Sequence, residues 1–115
     1  MTPEQAALVE RIRGQIADDL AVREVSMFGG RAVMVNEKMI VSAQKDGGLL
    51  VRVDPDRHDE LLERPGADQA QMGAGRDMGP GWIEVAADAT RDDDRLASWV
   101  EVSMEYNRTV AGGRS

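Results

Sequence analysis

The chain has 115 residues, 42% hydrophobic and 30% charged, which suits one folded domain of common size. It contains no cysteine and one histidine, so disulfides, thiolate nucleophiles, iron–sulfur clusters and a multi-histidine metal site are excluded. A net charge of -7 disfavours nucleic acid and anionic membranes as partners. Because cysteine, an apolar run of membrane-spanning length and a signal pattern are all missing, we expect a cytoplasmic protein without membrane association.

The first predicted element is an amphipathic helix over residues 3–20. Thr2 can cap this helix, Pro3 suits its first position, and Gln5 can complete a capping box. Gly14 is expected to weaken the helix locally. One face carries an apolar stripe with a spacing of four residues, formed by Leu8, Ile12, Ile16 and Leu20.

Three or four strands are predicted next, because apolar residues alternate in short segments separated by glycine-rich or polar turns. In one of these segments, alternation places Met39 and Val41 on one face and Ile40 on the other. The connections are too short for a crossover, so neighbouring strands must be antiparallel. The first segment is centred on Val25 and Met27. The other three span residues 31–35, 38–43 and 49–53.

The second half of the chain alternates between helical and strand patterns. Asp54 can cap a short helix over residues 55–64. Residues 66–81 contain five glycines and predict no more than a short strand around residues 70–72. A further strand is predicted over residues 82–86.

The last predicted helix is capped by Asp88 or Thr90 and carries an acidic first turn at residues 92–94. Its large aromatic residues, Trp99 and Tyr106, are expected to pack in the core. The whole chain, residues 1–115, is predicted to form one domain with a core over 3–110 and a frayed tail at 111–115. The predicted fold is α+β, with two layers, an antiparallel sheet covered by helices on one face and the order α-β(3-4)-α-β(1-2)-α.

An ordered set of short motifs over residues 22–108 resembles the TfoX N-terminal domain family. The resemblance implies a two-layer fold similar to secretion-chaperone-like domains, with no established catalytic residues. Its namesakes are competence regulators with an additional C-terminal domain, so we expect a stand-alone member here. The motifs are Met27-Phe28-Gly29-Gly30, Asn36-x-x-Met39, Leu49-x-Val51-Arg52-Val53, Gly81-Trp82-Ile83-x-Val85 and Leu96-x-x-Trp99.

The chain departs from the family pattern in two places. Where relatives carry Asn-Gly in the second hairpin, this chain has Asn36-Glu37, and Glu37 is costly in a type I′ turn. We therefore expect either another turn type or a turn one residue longer. The aromatic-rich middle of the family is replaced here by residues 72–81.

The strongest candidate binding site is the turn formed by Phe28, Gly29, Gly30 and Arg31. Successive backbone N–H groups at a glycine turn can hold an anion, and Arg31 could add a bidentate contact, with Arg52 supplied by a neighbouring strand. The simpler interpretation is a hairpin turn whose glycines supply backbone freedom and whose arginine is solvated.

No catalytic site, metal site or cofactor is predicted. His58 lies among carboxylates at residues 56–63, a pattern that is usually the solvated face of a short helix. We therefore expect a non-enzymatic regulatory module that binds an unknown protein partner, with a homodimer as one form. A small-anion or small-ligand binding domain using the Phe28–Arg31 turn, and a DNA-associated transcriptional regulator, remain as alternatives.

Overall fold

A computed structural model describes residues 3–16, 22–27, 30–45, 47–73 and 76–111. The helices are α1 (Pro3–Arg13), α2 (His58–Leu62), α3 (Ala87–Thr90) and α4 (Asp93–Ala111), and a 3-10 turn (Pro55–Arg57) precedes α2. The strands are β1 (Val22–Met27), β2 (Gly30–Val35), β3 (Lys38–Ala43), β4 (Leu49–Arg52), β5 (Ala67–Gln69), β6 (Gln71–Gly73), β7 (Arg76–Asp77) and β8 (Trp82–Val85).

Six of these strands form one antiparallel sheet in the order β1-β2-β3-β4-β8-β5. The first block therefore contains four strands, which decides between the two alternatives left open by the sequence. In the glycine-rich segment, β5 joins the sheet edge, while β6 and β7 pair as a separate hairpin. The sequence predicted a single short strand there, because so few aliphatic residues mark this region.

The main core lies between the sheet and the helices α1, α2 and α4. We call this side of the sheet the helix-side face, and its centre is a row of fully buried aliphatic residues, Val33, Val41, Val51 and Ile83, paired across four strands. The predicted α+β architecture, an antiparallel sheet with its helices on one face, is confirmed.

A β-bulge in β3 changes the predicted alternation. Val33 pairs with Val41 and Met34 with Met39, so Ile40 is the additional residue on β3. Ile40 and Val41 both join the helix-side core, whereas Met39 belongs to a second cluster. The prediction that Met39 and Val41 share a face is therefore wrong, because the bulge shifts the alternation by one residue.

Helix α1 ends at Arg13, before Gly14, and not at residue 20 as predicted. The Gly14 N–H still donates to the Glu10 carbonyl, at 3.0 Å, and Ile16 remains buried in the core beyond the helix end. Gln5 is buried, and its Nε2 donates to the Ala43 carbonyl at 2.8 Å, which ties α1 to β3. The predicted cap, Thr2, and the end of the apolar stripe, Leu20, lie outside the described residues.

Helix α4 is capped by Asp92. Its Oδ1 accepts hydrogen bonds from the backbone N–H groups of Asp94 (2.9 Å) and Arg95 (3.1 Å). The predicted alternatives are wrong because the separate short helix α3 contains both Asp88 and Thr90. Thr90 instead donates to the Gly47 and Ala87 carbonyls, each at 2.8 Å. Most of the predicted tail, residues 112–115, lies outside the description.

The β2–β3 hairpin closes with a two-residue turn at Asn36 and Glu37. Their φ angles are 52° and 67°, and positive φ at both central positions is the type I′ signature. The expectation of another turn type or a longer loop is therefore wrong. An exposed ion pair, at 2.7 Å, links the Glu37 carboxylate to Arg23 on the neighbouring strand β1.

Candidate functional site

The glycine turn predicted as an anion site has a structural role at Gly30. This residue is buried and starts β2. A Cβ added to it would lie 2.5 Å from the Ser42 Oγ and 2.9 Å from the Ala43 carbonyl oxygen, so only glycine allows β3 to approach this closely. Phe28 and Gly29 lie outside the described residues.

Arg31, the predicted anion ligand, is engaged within the chain. Its Nη1 donates to the Ser26 Oγ at 2.9 Å, and its Nε donates to the Glu24 carboxylate at 3.3 Å. Arg13 donates to the same carboxylate at 2.7 Å. The hydrogen bond from Arg13, reinforced by the one from Arg31, lowers the pKa of Glu24 below its ordinary value, against the opposing effect of partial burial.

The structure does not bring Arg31 and Arg52 together. Their strands, β2 and β4, are separated by β3, so they are not neighbours. Arg31 lies on the helix-side face with Val33, whereas Arg52 alternates with Val51 and lies on the opposite side, which we call the second face. A single site that combines both guanidinium groups is therefore not formed.

Arg52 instead stacks against two aromatic rings. Its guanidinium carbon lies 5.1 Å from the centroid of Trp82, its partner on β8, and 5.5 Å from that of Tyr106 on α4. All three side chains are half-buried. Tyr106 was predicted in the core, but it is only half-buried. We call these three residues the Arg52 surface.

A small second apolar cluster supports this surface. Its buried members are Ala32, Met39, Leu50 and Ala70. Met34, Met78 and Trp82 pack against them and stay half-buried. The glycine-rich segment completes the cluster through backbone bonds, from Ala70 N–H to the Trp82 carbonyl (3.4 Å) and from Met78 N–H to the Ala70 carbonyl (2.8 Å).

His58 fixes the segment that carries Trp82. The buried ring accepts a hydrogen bond at Nδ1 from the Gly81 N–H (2.9 Å), so the proton resides on Nε2, which lies 2.7 Å from the Gln69 Oε1. Gln69 donates in turn to the Gly79 carbonyl at 3.2 Å. Both ring nitrogens are thus occupied, and the described residues contain no group of three metal-ligating side chains.

The sequence pattern favoured the core for Tyr106 and did not mark Trp82 as a surface residue. The available signal was weak. Trp82 directly follows Gly81 in the sequence, but its pairing with Arg52 becomes evident only from the strand register. Tyr106 could be recognised only from the direction in which α4 crosses the sheet. Both assignments therefore depend on contacts distant in sequence.

Comparison with known proteins identifies the domain. The family model described as the TfoX N-terminal domain matches residues 15–106, which is most of the chain. No curated protein matches the chain. Within the described ranges, no helix combines the length and apolar character that crossing a membrane requires.

Proposed function

Because the chain belongs to the TfoX N-terminal domain family, we propose that it is a non-catalytic regulatory module that binds another protein through the Arg52 surface. The observation that carries this proposal is the stacking of a half-buried arginine between Trp82 and Tyr106. Arginine, tryptophan and tyrosine are the residue types that most often dominate binding energy at protein interfaces.

The charge of Arg52 is available to a partner. Six of the twelve arginines in the chain form ion pairs with carboxylates of described residues: Arg11, Arg13, Arg23, Arg31, Arg57 and Arg91. Within the described residues, Arg52 has no ion pair, and its guanidinium lies over the rings of Trp82 and Tyr106. Stacking orients the guanidinium without neutralising it, so little side-chain entropy remains to be lost on binding.

The chemistry of the surface specifies the partner. An unpaired guanidinium favours an anionic group, which on a protein surface is a carboxylate, and the half-buried Met34, Met78 and Trp82 offer an adaptable apolar surface beside it. We therefore expect a protein that presents an apolar side chain next to an aspartate or glutamate. The matching charge would favour this partner over a basic surface.

A second copy of the chain is one partner that meets this description, since the chain has 21 acidic residues. We retain the homodimer as a prediction. Sedimentation equilibrium of the purified chain would decide it, because a monomer at high micromolar concentration excludes self-association of useful strength. We retain a cytoplasmic location as a prediction, and the cysteine-free composition is consistent with a reducing compartment.

The test uses the wild-type chain and three of its variants as baits to capture a partner protein. Arg52→Ala and Trp82→Ala remove the proposed contact. Arg64→Ala is the control. The Arg64 guanidinium carbon lies 5.2 Å from the centroid of the buried Trp99, so this variant removes an arginine–tryptophan pair elsewhere in the chain. A protein captured by the wild-type and Arg64→Ala baits is then purified and its affinity measured by calorimetry.

We expect Arg52→Ala and Trp82→Ala each to weaken binding of that protein by at least about tenfold, as for interface hot spots. Circular dichroism must show that both variants remain folded. Equal affinity of all four proteins for the purified partner would refute the proposed surface.

A further inference from the structure

Strand β1 forms one edge of the six-stranded sheet, and no described strand pairs with its outer side. It is six residues long, contains no proline and pairs with β2 without a bulge. The opposite edge strand, β5, has three residues and packs against α2. Shortness, proline and bulges are the usual protections of an edge against pairing with another chain. Strand β1 has none of the three.

The β2–β3 hairpin determines which backbone groups of β1 point outward. Its two-residue type I′ turn makes Val35 and Lys38 a hydrogen-bonded pair, so Val35 bonds to β3 and the preceding residue, Met34, bonds to β1. Met34 pairs with Arg23, so Arg23 bonds to β2 and its neighbours point away from the sheet. Within the part of the chain that the structure describes, no backbone hydrogen bond reaches the outward residues, which are Val22, Glu24 and Ser26.

The charged side chains of β1 do not protect this edge, because both are paired within the chain. Arg23 forms its ion pair with Glu37, at 2.7 Å. Glu24 accepts from Arg13 at 2.7 Å and from Arg31 at 3.3 Å. An approaching strand therefore meets a row of backbone donors and acceptors whose neighbouring charges are already neutralised.

We propose that β1 pairs with β1 of a second copy of the chain. The two strands run antiparallel about a two-fold axis perpendicular to the sheet, so that two six-stranded sheets join into one. This axis keeps the helix-side faces of both copies on the same side. Only residues of the same face can then lie opposite each other, which leaves few possible registers.

The side chains favour the register in which Val25 lies opposite its own copy. Val25 is half-buried on the second face, so the axis brings two apolar side chains together. Glu24 then pairs with Ser26 of the second copy, and each such pair exchanges two main-chain hydrogen bonds. Registers centred on Glu24 or Arg23 would place like charges opposite each other, and one centred on Ser26 would shorten the overlap.

The Ser26 hydroxyl makes this register self-complementary. Its Oγ accepts from the Arg31 Nη1 at 2.9 Å, and its own proton has no acceptor among the described residues. In the proposed dimer this proton is donated to the Glu24 carboxylate of the second copy, and the axis repeats the contact. A second copy supplies this carboxylate at the required position, whereas an arbitrary extended peptide does not.

This interface goes beyond the proposed function and does not require it. Arg52 lies on β4, which β2 and β3 separate from β1, so the two surfaces can be changed independently.

The first test uses disulfide formation. The chain contains no cysteine, so one introduced cysteine reports on its own position. Opposite residues at a non-hydrogen-bonded position have Cα atoms about 4.5 Å apart, which a disulfide can bridge. We expect Val25→Cys to form a covalent dimer under mild oxidation at high micromolar concentration. Arg23→Cys is the matched control, since four positions along the strand separate it from its copy by about 13 Å or more.

Preferential crosslinking of Val25→Cys supports the proposed register. Preferential crosslinking of Arg23→Cys would overturn that register. Equal crosslinking of both variants, or of neither, would overturn the interface.

The second test is sedimentation equilibrium with proteins shown by circular dichroism to be folded. Ser26→Pro removes an outward N–H, which an edge strand tolerates, whereas Ser26→Ala removes only the hydroxyl. We expect a reversible wild-type dimer whose dissociation constant rises at least about tenfold in Ser26→Pro and less in Ser26→Ala, because symmetry removes each bond twice. Arg52→Ala should leave it unchanged.

A wild-type chain that stays monomeric at high micromolar concentration would overturn the proposal. So would a dimer that Arg52→Ala abolishes and Ser26→Pro retains. Failure of the β1 interface would leave the Arg52 surface intact, since that surface is tested with Trp82→Ala and a purified partner.

Discussion

The helix-side face of the sheet is filled with fully buried valine, isoleucine and leucine, whereas the second face combines buried alanine, leucine and methionine with half-buried methionine, tryptophan and arginine. Branched aliphatic residues pack with few rotamers and make a rigid core. Methionine adapts to different surfaces, and arginine on aromatic rings retains its charge. One face thus stabilises the domain, and the other is suited to contact other molecules.

The largest expected effect tests this division directly. Leu96 is fully buried on α4 against the helix-side face, so Leu96→Ala should lower the free energy of unfolding by about 3 kcal/mol through lost burial and a cavity. Met34 is half-buried on the second face, and Met34→Ala should cost less than about 1 kcal/mol. Urea denaturation of both variants gives the comparison, and similar losses would contradict it.

His58 is expected to support the second face more than the core. His58→Phe removes the acceptor for the Gly81 N–H and the partner of Gln69, at a cost of about 2 kcal/mol. Hydrogen exchange should show the greatest loss of protection at residues 78–82. Loss spread evenly over α1 and α4 would instead assign His58 to the main core.

Gly30→Ala should destabilise the domain by about 1–3 kcal/mol, because the new methyl group overlaps the Ser42 Oγ and the Ala43 carbonyl. The Ser42 Oγ is buried without a hydrogen-bond partner in the structure, so Ser42→Ala alone should be nearly neutral. The double variant should recover part of the loss. Thermal unfolding of the three proteins measures this coupling, and strict additivity would exclude the proposed overlap.

A smaller and stabilising effect is expected at the β2–β3 turn. Glu37→Gly relieves the positive φ of 67° and should raise the free energy of unfolding by about 1 kcal/mol. The lost ion pair with Arg23 is exposed and offsets little of this gain. Glu37→Ala loses the same ion pair but keeps the strain, so it serves as the control. Equal stability of the two variants would remove the backbone explanation.

The smallest effect concerns Glu24 and pH. Because its pKa is lowered in the folded chain, Glu24 contributes stability above its unfolded pKa, and this contribution is lost as the pH falls through the folded value. Glu24→Gln should cost less than about 1 kcal/mol at pH 7, since one of its partners, Arg13, is exposed. Denaturation at pH 7 and pH 3 should show that this difference shrinks in acid. A constant difference would mean that the ionised carboxylate is not responsible.

The sequence was sufficient for the candidate site only in part. It predicted Arg52 as a binding residue, supplied to the Phe28–Arg31 turn by a neighbouring strand. It paired Arg52 with Arg31, because alternation within a strand does not reveal which strands are neighbours. It did not predict that Trp82 and Tyr106 lie at Arg52, since both contacts join segments that are distant in the chain.

Outside the glycine-rich segment and α3, the elements and their order were determined by local information: a period of four in α1, alternation in β1 to β4, the proline after Asp54 and the short connections that force antiparallel pairing. The tertiary structure alone decided the sheet order, the bulge at Ile40, the use of Asp92 as the cap of α4 and the stacking of Arg52. Periodicity and turn chemistry act between near neighbours, so a sequence records them directly. Register, cavity shape and ring stacking arise only when distant segments meet.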